Sequence, residues 1–320
     1  MVVGILVVLG STFGVLLFFE PAIDTYLWNQ KEVLHLYDFY GAKVGQNETA
    51  VFFIGSSMIG DSIYTQGINE YLADMGLDIT TYCLVMQGDL PIRRTVQIQN
   101  IIDAAPSLVV IGVTYENIIS PSWPPERVIL VHDKLKIRDD SLYLFSNSEI
   151  EDLSKEPDLW YKKQYIRSLF TYTPSSKEQW NYFVHPYHRV NLSFENSPVV
   201  DVDDSTIVNQ LMGVDKLYIS AVDDSLTRYK EALIYNVQTL QNAGIPVVVI
   251  NMPLHPITSS YITDDSRQNM YDLLNQTGAI WYDMERDYGR EFFKDNHHAS
   301  NYGALLFAPR MADLIIQELS

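Results

Sequence analysis

Three short stretches of this chain carry residue types that can do chemistry. The first is Gly55-Ser56-Ser57-Met58-Ile59-Gly60-Asp61-Ser62, which follows the apolar run Val51-Phe52-Phe53-Ile54. A serine on a tight, glycine-bearing turn that opens a helix has an exposed hydroxyl, and its backbone N–H is available to an oxyanion. The same residues also suit ordinary turn and N-cap chemistry. The second stretch is Asp295-Asn296-His297-His298, just before the last apolar segment. An aspartate three residues before a histidine lets one loop present an imidazole together with the carboxylate that orients it. That carboxylate holds the ring tautomer and stabilises the imidazolium formed when a serine loses its proton. The plainer alternative is a polar loop in which Ser300 or Asn301 caps the final helix. The third is Gly88, in Val85-Met86-Gln87-Gly88-Asp89-Leu90-Pro91. Its N–H can approach a reacting carbonyl closely, although a strand-to-helix turn also calls for glycine.

Two further possibilities arise from the same residue types. His255, in Asn251-Met252-Pro253-Leu254-His255-Pro256, follows an apolar run and is a candidate for substrate contact. A metal site at Asp295, His297 and His298 is set aside, because adjacent histidines point apart in most backbones and no further ligand cluster is evident.

These residues need elements to position them. Short apolar runs at Val51 to Ile54, Ile79 to Val85, Leu108 to Ile111, Ile245 to Ile250 and Ala279 to Tyr282 read as five strands. Between and after them, Gln66 to Met75, Ile92 to Ala104, Leu226 to Ala243, Ser266 to Gln276 and Asn301 to Leu319 have helical spacing. Continuous apolar strands alternating with helices predict a parallel sheet covered on both faces, in which ligands bind beyond the carboxyl ends of the strands. The expected fold is α/β, a flavodoxin-like three-layer sandwich with five parallel strands. Residues 118–224 interrupt the alternation as one long insertion that holds Trp123, Trp160 and Trp180.

Composition removes several function classes. A net charge of −18 argues against nucleic acid as partner, and the single cysteine excludes an intramolecular disulfide and a cysteine-based metal centre. No cofactor is called for. Residues 1–19 contain no charged side chain and, as a helix, would span about 28 Å, which predicts a transmembrane anchor or a signal sequence. An uncleaved anchor is favoured because no Ala-x-Ala pattern follows the run. Residues 20–49 then form a linker, and residues 50–320 form the α/β domain with its insertion. The triplets beginning at Asn47, Asn191 and Asn275 fit an exported domain.

Serine after strand one, glycine after strand two and Asp-x-x-His before the last helix occur in an order that resembles the SGNH, or GDSL-type, hydrolase superfamily. The resemblance covers roughly Ala50 to Ile119 and Leu226 to Ser320. It implies Ser57 as nucleophile, His298 as base and Asp295 as its orienting acid, with oxyanion donors from the N–H groups of Ser57 and Gly88. The family's third block, Gly-x-Asn-Asp, is replaced by Ile111-Gly112-Val113-Thr114-Tyr115-Glu116-Asn117. Without a gap Thr114 takes the asparagine column; with a longer loop Asn117 does. The layout also resembles anchored proteins of D-alanyl transfer to teichoic acids and of alginate acetylation. That likeness implies an extracytoplasmic serine esterase or O-acyltransferase, with an acylated carbohydrate or lipid as substrate and a membrane-bound acyl-transfer partner. The rival reading is a noncatalytic surface-binding or assembly protein on the same fold.

Overall fold

The computed structural model describes residues 49–85, 89–115, 138–145, 191–212 and 227–320. The expected anchor at 1–19, the linker at 20–49 except Thr49, which opens the first strand, Gly88 and Asn117 lie outside the described residues. No helix among the described residues is long and apolar enough to cross a membrane.

The chain forms β1 (Thr49–Gly55), α1 (Ser57–Ser62), α2 (Thr65–Asp74), β2 (Ile79–Cys83), α3 (Pro91–Thr95), α4 (Ile98–Ala104) and β3 (Leu108–Val113). It continues with α5 (Asp204–Met212), α6 (Thr227–Asn242), β4 (Val247–Asn251), α7 (Pro256–Ser260), α8 (Asp264–Thr277), β5 (Ile280–Asp283) and α9 (Asn301–Leu319). The strands make one sheet in the order β2-β1-β3-β4-β5, and every pairing is parallel. This is the flavodoxin-like order. The connection from β1 to β2 runs the opposite way across the sheet from the later ones, so right-handed crossovers put α2 on one face and α4, α6 and α8 on the other. Accordingly α9 packs on α2, while α6 packs on α3, α4 and α8.

Burial follows position in the sheet. β3 and β4 are buried at every residue and β1 at all but its first, whereas the edge strands β2 and β5 keep partly exposed side chains. One expected helix is two. The run Ile92 to Ala104 breaks between α3 and α4, where the Gln97 N–H bonds to the Arg94 carbonyl three residues back at 2.9 Å. Gln97 is fully buried and its side chain accepts from Arg94, so tertiary contacts hold the break that periodicity conceals.

The two central strands meet at a pair of glycines. Gly55 and Gly112 are in register, and Gly55 has φ of +141°. A Cβ on Gly55 would lie 2.6 Å from the Gly112 carbonyl oxygen, and one on Gly112 would lie 2.8 Å from the Ile59 Cβ. The space that two side chains would have taken is filled by Ile59, which is fully buried and seats α1 directly on the strand ends. Gly112→Ala should therefore destabilise the protein by about 1 to 3 kcal/mol in urea unfolding, through overpacking. A Cβ on Gly112 would also meet the Ile59 Cδ1 at 2.8 Å. Ile59→Ala removes that atom and keeps the Cβ, so Gly112→Ala should cost less in that background, and equal costs in both would show that the Cδ1 contact is not the constraint.

Candidate active site

α1 begins immediately beyond β1, and its register decides which serine faces the cleft. Ser56 is the extended residue before the helix, with φ −81° and ψ −176°, and its carbonyl accepts the Gly60 N–H at 3.1 Å. Its side chain is buried. Ser57, the next residue, is partly exposed, and its Oγ lies 2.9 Å from His298 Nε2 across 241 residues of sequence. On the far side of the ring, His298 Nδ1 lies 2.8 Å from Asp295 Oδ2. An ionised carboxylate only accepts, so Nδ1 carries the proton and Nε2 keeps a lone pair for the serine hydroxyl.

Asp295 is bound on both oxygens. Its Oδ1 accepts the backbone N–H groups of His297 at 2.9 Å and His298 at 2.6 Å, which fixes the carboxylate against its own loop. Burial alone would raise this carboxyl, but the hydrogen bond and charge of His298, with the His297 N–H, hold it well below the usual carboxylate range. The site stays charged through ordinary acidity.

The loop carrying both residues is pinned from several directions. It closes on itself through a Phe293–Ala299 antiparallel bridge and a bond from the Lys294 N–H to the His298 carbonyl at 2.9 Å. Ser300 caps α9 by accepting the Gly303 N–H at 3.0 Å, so the capping role holds alongside the triad-like arrangement. The Asn296 carbonyl accepts from the Thr258 hydroxyl at 2.6 Å, and its N–H donates to Gln210 Oε1 at 3.1 Å. Lys294 Nζ reaches Asp61 Oδ2 at 3.0 Å and so ties the loop to α1, one turn beyond Ser57. Apart from the Ser300 cap, sequence reasoning did not reach these supports; their only signal was that Lys294 adjoins Asp295 and Asp61 lies four residues from Ser57.

α7, which contributes Thr258, rests on a buried charged group. The Glu285 side chain is 1% exposed and accepts from Arg267 at 2.9 Å, from the Ser259 hydroxyl at 2.5 Å and from the Tyr115 hydroxyl at 2.6 Å. Arg267 in turn donates to the carbonyls of Ile262 and Ser259. His255 belongs to this support and not to the cleft. It is 1% exposed, its Nδ1 accepts the Ile257 N–H at the start of α7, and its ring meets Phe293 edge-on at 5.5 Å. A ring so enclosed offers no face to a substrate, which corrects the expected substrate contact. Burial, with the Arg290 charge, lowers its pKa and so favours the neutral, accepting form.

The expected oxyanion donors divide. The Ser57 N–H sits in the first turn of α1, where helical geometry leaves it without an intrahelical partner. Gly88 and Asn117 lie outside the described residues. Beside Gly88, Asp89 is buried and receives two bonds from Arg94, at 2.9 and 2.5 Å. Thr114, the ungapped alternative to Asn117, is 1% exposed, so its hydroxyl is closed to the cleft. The two adjacent histidines also differ from expectation. Their ring centroids are 4.0 Å apart instead of diverging, because the tight loop turns both side chains the same way. Burial and the neighbouring His298 push the His297 imidazole down to about 4.

A depressed carboxyl stabilises the fold fully above its unfolded value of 3.8, and the contribution drains away as pH falls through the folded value. The difference in unfolding free energy between wild type and Asp295→Asn should shrink as pH falls from about 4 to about 2, where the unfolded carboxyl takes up its proton before the folded one. A difference that stays undiminished across that window would contradict the charged assignment.

No protein-family model matches the chain, and no curated protein matches it significantly. Solved structures that match include an inferred acylhydrolase from Bacteroides fragilis, 11% identical over 85% of this chain and 87% of that one, with a TM-score of 0.34. They also include a GDSL-like lipase from Bacteroides thetaiotaomicron, 10% identical over 89% of this chain and 98% of that one, with a TM-score of 0.35. The functional reading rests on the geometry described above.

Proposed function

We propose that the protein is a serine ester hydrolase or O-acyltransferase acting on ester-linked acyl groups. One observation carries the proposal: Ser57 Oγ, His298 and Asp295 form a continuous hydrogen-bonded line, 2.9 Å and then 2.8 Å, at the carboxyl ends of the strands. Ser57 attacks the acyl carbonyl while its proton passes to His298 Nε2, and Asp295 stabilises the imidazolium. The tetrahedral oxyanion receives the Ser57 N–H, with Gly88 and Asn117 proposed as further donors. Collapse expels the alcohol, which takes the proton from His298 and leaves an acyl-serine. Water or a sugar hydroxyl then attacks, returning its proton through His298 to Ser57 Oγ as the acyl group departs. The choice of acceptor separates esterase from transferase. A cell-surface glycan is the proposed substrate, supported by the sequence resemblance to anchored acyl-transfer proteins. The uncharged run at 1–19 supports a membrane-anchored, extracytoplasmic domain.

A fluorophosphonate probe should label the wild type and Ser56→Ala but not Ser57→Ala, whose acetyl-ester turnover should fall by a factor on the order of 10⁶. A folded wild type that resists labelling would leave the noncatalytic assembly reading in its place. For location, protease added to intact cells should degrade the domain; protection until lysis would refute the outward orientation.

A further inference from the structure

We infer that the loop from Asp295 to His298 binds one divalent ion of the zinc class, and that the bound ion switches the Ser57 nucleophile off. One donor atom from each of Asp295, His297 and His298 lies within 4.8 Å of the others. In a tetrahedral zinc site such donors stand about 3.3 Å apart, given bonds of roughly 2.0 to 2.2 Å. All three side chains come from four consecutive residues, and both imidazole rings already lie on the same side of the loop. Binding would require side-chain rotation to close the remaining gap, at the expense of the present bonds of Asp295 and His298.

A second observation points to a ligand. His297 is partly exposed as a residue, yet its Nδ1 is sealed from solvent and has no hydrogen-bond partner. A buried ring nitrogen without a partner is costly, and around it both carboxylate oxygens of Asp295 and both ring nitrogens of His298 are engaged. The mechanism makes no use of His297. A metal ion would satisfy that nitrogen. The charges nearby also favour a cation: the loop carries the Asp295 carboxylate, and the adjacent Lys294 ammonium is already paired with Asp61. The chain as a whole carries −18.

The inhibitory consequence rests on the hydrolase reading; the binding does not. His298 contacts Ser57 through Nε2 and Asp295 through Nδ1. An ion on Nε2 takes the lone pair that would receive the serine proton. An ion on Nδ1 forces the ring proton onto Nε2, which then cannot accept. Either mode removes the base, and a chelator restores it.

The test uses the 320-residue chain, stripped of metal and placed in a non-coordinating buffer. Zinc is titrated by calorimetry, cobalt(II) by its visible absorption, and the fluorophosphonate labelling rate is measured with and without zinc. The expected result is one ion per chain, a labelling rate that falls by about tenfold or more at saturation, and recovery with chelator. Folded His297→Ala and His297→Gln should bind zinc about tenfold or more weakly, and the ratio of their labelling rates with and without zinc should approach one. No binding at about 1 mM zinc, unchanged affinity in both variants, or zinc bound with labelling unaffected would each overturn the inference. If the metal-free wild type does not label at all, the hydrolase reading fails, while the calorimetric dependence on His297 still decides the site.

Discussion

The placement of the candidate nucleophile depends on how closely a short helix can approach the middle of the sheet. Gly55 and Gly112 stand opposite each other on adjacent strands, and the absence of two β-carbons lets Ile59 occupy the space above them. That seat sets the height and rotation of α1, and rotation is what separates the buried Ser56 from the accessible Ser57. A larger residue at either glycine would lift the helix away from the loop that carries His298. The close contact is a matter of packing, yet its consequence is a hydrogen bond between groups 241 residues apart.

Polar support reaches the other half of the site through a chain of contacts. Glu285 and Arg267 form a buried pair whose remaining hydrogen-bonding capacity is taken up by Ser259, Tyr115 and backbone carbonyls. Buried ion pairs add little net stability over apolar packing, but losing one partner costs about 3 to 5 kcal/mol, so such a pair favours one arrangement strongly over its alternatives. Here that arrangement is the position of α7, whose Thr258 holds the Asn296 carbonyl between Asp295 and His298. The Lys294–Asp61 pair closes the circuit back to α1. The imidazole is thus located by both elements that frame it.

The same loop is compact enough to bring three ligand-type side chains together, and this compactness has two chemical meanings. With protons in place, Asp295 and His298 form the orienting half of a catalytic line. With a metal ion in place, the same lone pairs would be coordinated and the serine would lose its base. One lone pair cannot do both at once, so proton transfer through His298 and metal binding to it would exclude each other.

Much of the fold was legible before any tertiary contact was considered. β1, β3 and β4 are covered on both faces and therefore appear as unbroken apolar runs, and the helices between them keep their period because each buries one face. Ser57, Asp295 and His298 stood out because serine after a strand and Asp-x-x-His are local patterns. The break between α3 and α4 was not legible, because it is held by Gln97 and Arg94, which meet only in the folded core. Nor was the placing of His255, which a position after β4 suggested for the cleft and which packing turned into the cap of α7. The sequence by itself determined the order of elements and the residue types available for chemistry, since those depend on period and neighbours along the chain. Only the tertiary structure decided which serine faces the histidine, which histidine is enclosed and whether two adjacent rings converge, because rotation about a helix axis and the path of a loop are set by distant contacts.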